Sequence, residues 1–285
     1  MTTAQRIQIR KLFQKVGLNV KQGEELTVSA KFMEKLKTLA DRAGGEAPKP
    51  ARPDTKVLEQ IRLASGNEQL LLLYNHRDEI ARSIDEWTAL AEAIEKRWPE
   101  WTIVNRLMKH AQGLQDSEVI LAQLKHIEQK RQLLENPDLI TPVIFNLTQL
   151  LREELNRLDI QYNDLHKKGM ERLHNDSNWN KLEPEDRYQL LSSHNLHETA
   201  RPHVEVQSTD DVLKTLDRMP LSGFVDRVAA IQTRFDNVIK EASVLLEPEA
   251  QFIEVPRRTL KTVKELEEWI EEVKHQMTTA LEKGR

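Results

Sequence analysis

Apolar residues return every three or four positions across two long stretches of this chain, and that spacing predicts two long helices. The first row is Leu70, Leu73, Ile80, Ile84, Trp87, Ala91, Ile94 and Trp98, interrupted only at Arg77. The second is Ile144, Leu147, Leu151, Leu155, Leu158, Tyr162 and Leu165. Such steps place each row on one face of a helix, which must bury it against a partner helix. At about 1.5–3 kcal/mol per large apolar side chain buried, the two rows organise the molecule. Pro99 is expected to stop the first helix, since it has no N–H to donate and its ring collides with the preceding turn. The second is expected from about Thr141 to His174. At 1.5 Å per residue both reach ~45–50 Å, and the matched lengths predict that they lie antiparallel, side by side. Leu90 widens the first stripe beyond a pure two-stranded seam, which favours a bundle. An intermolecular coiled coil stays open from the same pattern.

Shorter elements fill the rest. Residues 3–16 form an amphipathic helix with Ile9, Leu12, Phe13 and Val16 on one side. Arg6, Arg10, Lys11 and Lys15 lie on the other. A second helix runs from Ser29 to Ala43 and ends at Gly44-Gly45. Three prolines between Glu46 and Pro53 mark a stiff, extended linker. Asp54 caps a short helix through Leu63. Further helices follow at Trp101–Gln112 and from Ser117, with Ile120, Leu124, Ile127 and Leu134 as the buried row of the latter. Pro184 opens a short helix, and others are expected at 209–218 and 221–246. The alternation in 203–207 and 251–255 suits short strands that pair as a small ribbon. A last helix, Thr262 to Glu282, is expected to bury Val263, Leu266, Ile270, Val273 and Met277. The predicted fold class is therefore all-α: an elongated helical bundle with two long antiparallel helices and a minor two-stranded β-ribbon in the C-terminal part. Its expected divisions are a basic helical module (1–46), a Pro-rich linker (47–53), a long-helix bundle (54–200) and a C-terminal helical subdomain (201–285).

Composition narrows the function classes. The 285 residues contain no cysteine, which excludes thiol nucleophiles, thiolate metal sites and disulfides and suits a reducing cytoplasm. The start of the chain has no signal-peptide apolar core, and no apolar run is long enough for a membrane span. Charge is unevenly spread. Residues 1–53 carry eleven Lys/Arg against five Asp/Glu, a balance of +6, and the remainder carries −10. A basic amino-terminal module on an acidic body suits contact with nucleic acid or an acidic partner; a solvated helix face shows the same excess.

Motifs for chemistry are absent. His76-Arg77-Asp78 imitates a kinase catalytic loop, but Ser83 stands where the asparagine belongs and no Gly-rich loop precedes it. His194, His197 and His203 cluster without the spacing of a metal site, and read as surface or packing histidines. Neither a P-loop nor a dinucleotide-binding fingerprint occurs. No catalytic, cofactor-binding or metal-binding residue is assigned. Candidate contacts for a partner or nucleic acid are two basic groups: Arg6, Arg10, Lys11 and Lys15, and Arg257, Arg258, Lys261 and Lys264 at the approach to the last helix. Basic residues at a helix start oppose its dipole, so the second group gains nothing locally.

Three stretches carry a resemblance to a known family: Gly66-Asn-Glu-Gln-Leu70; Lys168-Gly-Met-Glu-Arg-Leu173 through Asn178-Trp179 to Pro184-Glu-Asp-Arg187; and Arg257-Arg-Thr-Leu-Lys-Thr262. From about residue 16 onward the chain resembles the carboxy-terminal region of the large P-loop ATPases of BREX phage-defence systems, the BrxC and PglY proteins. The family's ATP site lies in an amino-terminal region that has no counterpart here, so none of its nucleotide-binding residues carries over. The resemblance implies a fragment or stand-alone remnant of a defence ATPase, non-catalytic by itself. It would assemble with other BREX proteins, with self-association and a secondary DNA contact as further interactions and no membrane contact.

Overall fold

The computed structural model describes residues 1–246, 255 and 257–283. It is all-α, with no strand among the described residues. The helices are α1 (Thr3–Lys15), α2 (Glu25–Arg42), α3 (Lys56–Leu63), α4 (Gly66–Asn75), α5 (Arg77–Ala111), α6 (Ser117–Gln129), α7 (Ile140–Asn175), α8 (Pro184–Ser193), α9 (Thr209–Arg218), α10 (Leu221–Leu245) and α11 (Val263–Lys283). They fall into two compact units: Met1–Arg157 with Val204–Leu221, and Leu158–His203 with Ser222–Arg285. These units do not follow the divisions expected at 46/47 and 200/201. The reason lies in how the first unit is packed.

One core runs through the first five helices. Thr2 and Gln5 close a capping box on α1, the Gln5 N–H donating to Thr2 Oγ1 and the Thr2 N–H to Gln5 Oε1. Ile9, Leu12 and Phe13 of α1 are buried with Phe32, Met33 and Leu36 of α2. The Phe13 and Phe32 rings sit 4.5 Å apart, centroid to centroid. Leu58 and Ile61 of α3, Leu70 and Leu73 of α4, and Ile80, Ile84 and Trp87 of α5 complete the same cluster. The first apolar row is thus buried from Leu70 to Ile94, while Trp98 at its end is exposed, and its principal partners are α2 and α1; α7 is not among them. The row breaks once, at His76, where the backbone leaves helical geometry beside the interrupting Arg77.

Pro99 does not end the helix. α5 continues to Ala111, absorbing the segment expected as a separate helix from Trp101. Proline forfeits one hydrogen bond, to the Glu95 carbonyl, at a cost of about 3 kcal/mol. Trp101, Val104, Leu107 and Ala111 are all buried beyond it. Four buried side chains outweigh one lost hydrogen bond. Arg97 adds ion pairs to Glu100 and Asp138 across the same turn.

The Pro-rich segment is no spacer. Its carbonyls and amides are bound on all sides: Gly45 N–H donates to Pro50 O, Leu133 N–H to Pro48 O, and the Arg131 guanidinium to Gly45 O and Lys49 O. Lys49 Nζ lies 4.0 Å from the centre of the Trp98 ring. Gly44 is required here, because a Cβ would stand 2.4 Å from Ala51 O. The 203–207 stretch forms no strand either. Arg152 of α7 donates to the carbonyls of Val206 and Gln207, and Thr215 of α9 exchanges hydrogen bonds with Glu205. Its backbone is satisfied by side chains, which leaves no use for a second strand. Its expected partner falls largely outside the described residues, which omit 251–254.

The second unit packs the carboxy-terminal half of α7 against α10. Phe235 lies over Gly169 so closely that a Cβ there would meet the ring at 2.2 Å. His166 donates from Nε2 to Leu196 O and meets the Phe235 ring edge-on. Arg172 pairs with Asp236, and Arg201 with Asp159. No helix among the described residues is long and apolar enough to cross a membrane.

Candidate partner-binding surfaces

The two basic groups have different fates. Arg6 and Arg10 are one turn apart on α1 and converge on Glu25, the first residue of α2, which is fully buried. Arg6 Nη1 is 3.1 Å from Oε2, Arg10 pairs with Oε1, and the Gly23 N–H donates to Oε2 at 3.0 Å. Burial alone pushes the Glu25 carboxyl upward. Hydrogen bonds from its own N–H, Arg10, Arg6 and Gly23 outweigh that and hold it below the usual carboxylate range. Lys15 reaches across to Asp85 of α5 at 2.7 Å. Three of the four candidate cations of α1 are therefore spent fixing α1 to its neighbours, and Lys11 is exposed without such a contact among the described residues.

Arg257, Arg258, Lys261 and Lys264 are all exposed, in the segment that leads into α11. Here Thr262 and Glu265 form a capping box. The Glu265 N–H donates to Thr262 Oγ1, while the Thr262 and Lys261 N–H groups donate to Glu265 Oε2. The Lys261 N–H is the main cause that holds the Glu265 carboxyl below its ordinary range. The side chains expected to be buried along this helix are not: Val263, Leu266, Ile270 and Met277 are 72, 41, 47 and 41% exposed. Val273 and Trp269 are half-buried.

The described residues also form clefts. One of about 360 Å³ lies between α2 and α3, floored by Met33, Ala40 and Leu58 and rimmed by Glu34, Lys37, Glu59 and Arg62. Among the described residues no three His, Asp or Glu side chains group to hold a metal ion. Of the clustered histidines, His194 Nε2 faces Glu241 Oε1 at 3.0 Å, His197 is half-buried and His203 exposed.

The stretches that carry the family resemblance divide in the same way. Gln69 joins three helices, accepting from Ser29 and donating to Ile61 O, and Leu70 is buried. Gly169, Leu173, Trp179 and Leu182 are packing residues of the second unit, and Asp176 caps the turn at Trp179. The Arg257–Thr262 stretch buries no residue: all but the half-buried Leu260 are exposed. No family model, curated protein or solved structure matches this chain.

Sequence reading missed Glu25 and Asp138. Glu25 gave no signal, because an acidic residue at a helix start is ordinarily solvated. Asp138 did give one: an aspartate directly after Asn136-Pro137 and before an apolar row is a preferred N-cap. Its Oδ1 accepts from the Ile140 and Thr141 N–H groups.

Proposed function

We propose that this chain is a protein-interaction and assembly region, corresponding to the carboxy-terminal part of a BREX-type phage-defence P-loop ATPase. In this reading it works in the cytoplasm, docks other proteins of the same defence system and performs no catalysis itself. ATP binds elsewhere in the parent protein. The observation that carries the reading is α11: a capped helix of 21 residues whose apolar row is exposed and whose approach segment is basic and exposed. Contiguous exposed apolar surface marks interaction sites. The family part of the reading is supported by the resembling stretches alone.

The alternative, a nucleic-acid-binding accessory using the basic amino-terminal helix, draws less support. Arg6, Arg10 and Lys15 already hold carboxylates, and phosphate binding needs several cations free at once.

Size-exclusion chromatography of the chain mixed with the purified remaining proteins of a BREX system tests the proposal. Co-elution with at least one of them is expected. Migration alone, together with a salt-dependent shift of duplex DNA at low ionic strength, would transfer the assignment to nucleic-acid binding.

A further inference from the structure

Adjacent basic residues occur at Arg10-Lys11, Lys96-Arg97, Lys130-Arg131, Lys167-Lys168 and Arg257-Arg258. Endopeptidases selective for paired basic residues read such pairs through carboxylates in the pockets that take the two side chains. On sequence the pairs are equivalent. Their backbones are not. An endopeptidase holds its substrate extended around the bond it cuts, so a helical peptide bond is closed to it until the helix opens. Three of the pairs lie inside α1, α5 and α7. Lys130-Arg131 follows the end of α6 and is tied there. The Lys130 N–H donates to His126 O, the Arg131 N–H to Glu128 O and the Gln132 N–H to Ile127 O. The Arg131 guanidinium donates to Gly45 O and Lys49 O besides.

Arg257-Arg258 differs on each count. Residues 257–261 are not helical, and Arg257, Arg258 and Thr259 are all exposed. Helical backbone begins only at Val263, behind the Thr262–Glu265 box, so the bond after Arg258 stands clear of α11. We infer that the Arg258–Thr259 peptide bond is a processing site for an endopeptidase selective for paired basic residues, which detaches α11. The inference does not depend on the assembly reading. The reaction is hydrolysis: the C–N bond between Arg258 and Thr259 breaks, water supplies the hydroxyl of the new Arg258 carboxyl, and its remaining proton goes to the new Thr259 amine. From Val263 to Thr279 no residue of α11 is buried, so the cut removes a helix that contributes no buried side chain over that span. It also divides the basic run. Arg257 and Arg258 stay behind, while Lys261 and Lys264 leave with the helix.

Limited digestion of the folded chain with a subtilisin-type endopeptidase specific for paired basic residues, followed in time by intact-mass spectrometry, tests this. The first products are expected to be residues 1–258 and 259–285. They should form at least about tenfold faster than any cut at the other four pairs, which are reached only from an opened backbone. The double variant Arg257→Gln/Arg258→Gln is expected to yield neither product while keeping the circular dichroism of the parent chain. Purified 1–258 is expected to retain a cooperative thermal melt. A chain left uncut, or a first cut at Lys130-Arg131 or within a helix, would overturn the inference. So would release of 1–258 from the double variant at the parent rate. Loss of the cooperative melt in 1–258 would mark the cut as the start of degradation, and would overturn it equally.

Discussion

Helix α1 buries Ile9, Leu12 and Phe13 and also carries Arg6, Arg10, Lys11 and Lys15. Helix α11 carries Val263, Leu266, Ile270 and Met277 at helical spacing, with basic residues of its own at its start. Both are opened by capping boxes, and on sequence pattern they are equivalent. In α1 the apolar side is buried to within 4% exposure and two arginines grip a buried glutamate. In α11 the apolar row faces outward and the basic residues with it. Periodicity states that a face wants a partner. It does not state whether that partner belongs to the same fold, and charge near the face does not decide it either. What α1 has is a core shared with α2, α4 and α5, in which Glu25 gives Arg6 and Arg10 a buried counter-charge and Asp85 takes Lys15.

The difference is open to experiment, and the largest effect should come from the buried side. Phe13→Ala is expected to lower unfolding stability by about 4 kcal/mol, since it removes a ring from the centre of one core; urea denaturation measures it. Glu25→Ala should cost about 3 kcal/mol, leaving two partly covered arginines without their partner. A cost below about 1 kcal/mol would mean that α1 is held by packing alone.

Acid should expose the same contacts. Glu25 and Asp138 both titrate below the ordinary carboxylate range in the folded chain. For Asp138, burial opposes this, and Arg97, Thr141 and the Ile140 amide overcome it. The stability they supply is complete above the unfolded carboxylate pKa of about 4 and is lost as pH falls toward their lower folded values. Thermal melting should therefore drop below about pH 4. Asp138→Asn should lose about 1 kcal/mol at neutral pH and show a shallower acid limb. The smallest effect belongs to α11: Leu266→Asp should change unfolding by no more than about 0.5 kcal/mol at a concentration where the chain is monomeric. A large loss there would show that the row is covered within the fold. An ATPase assay on the chain should read zero, and clear turnover would overturn its non-catalytic assignment.

Much of the fold was legible because the two long rows are local signals. Ile84, Trp87, Leu151 and Leu158 are buried where the spacing puts them, and most helix limits lie within a few residues of the caps and breakers. What failed were inferences from one residue type without its surroundings. Pro99 and the three prolines at 48–53 are breakers by their own chemistry, and both were overruled by contacts from distant segments: the buried row beyond Trp101, and Arg131 with Leu133. Long-range partners leave no trace in local spacing. The candidate surfaces were half legible. The basic residues were visible in the sequence, yet which of them are already engaged depends on Glu25 and Asp85, and neither is marked as a partner by its position.

The clasp on the Pro-rich segment has a practical consequence for dissecting this protein. A cut after Pro53, the natural choice from composition, would sever nothing loose. It would take Ile9, Phe13, Phe32 and Leu36 away from Ile61, Leu73 and Ile84, halving one core and baring both faces to water. Residues 54–285 expressed alone should be sticky for that reason, and any binding they display should be charged first to the wound and only then to biology.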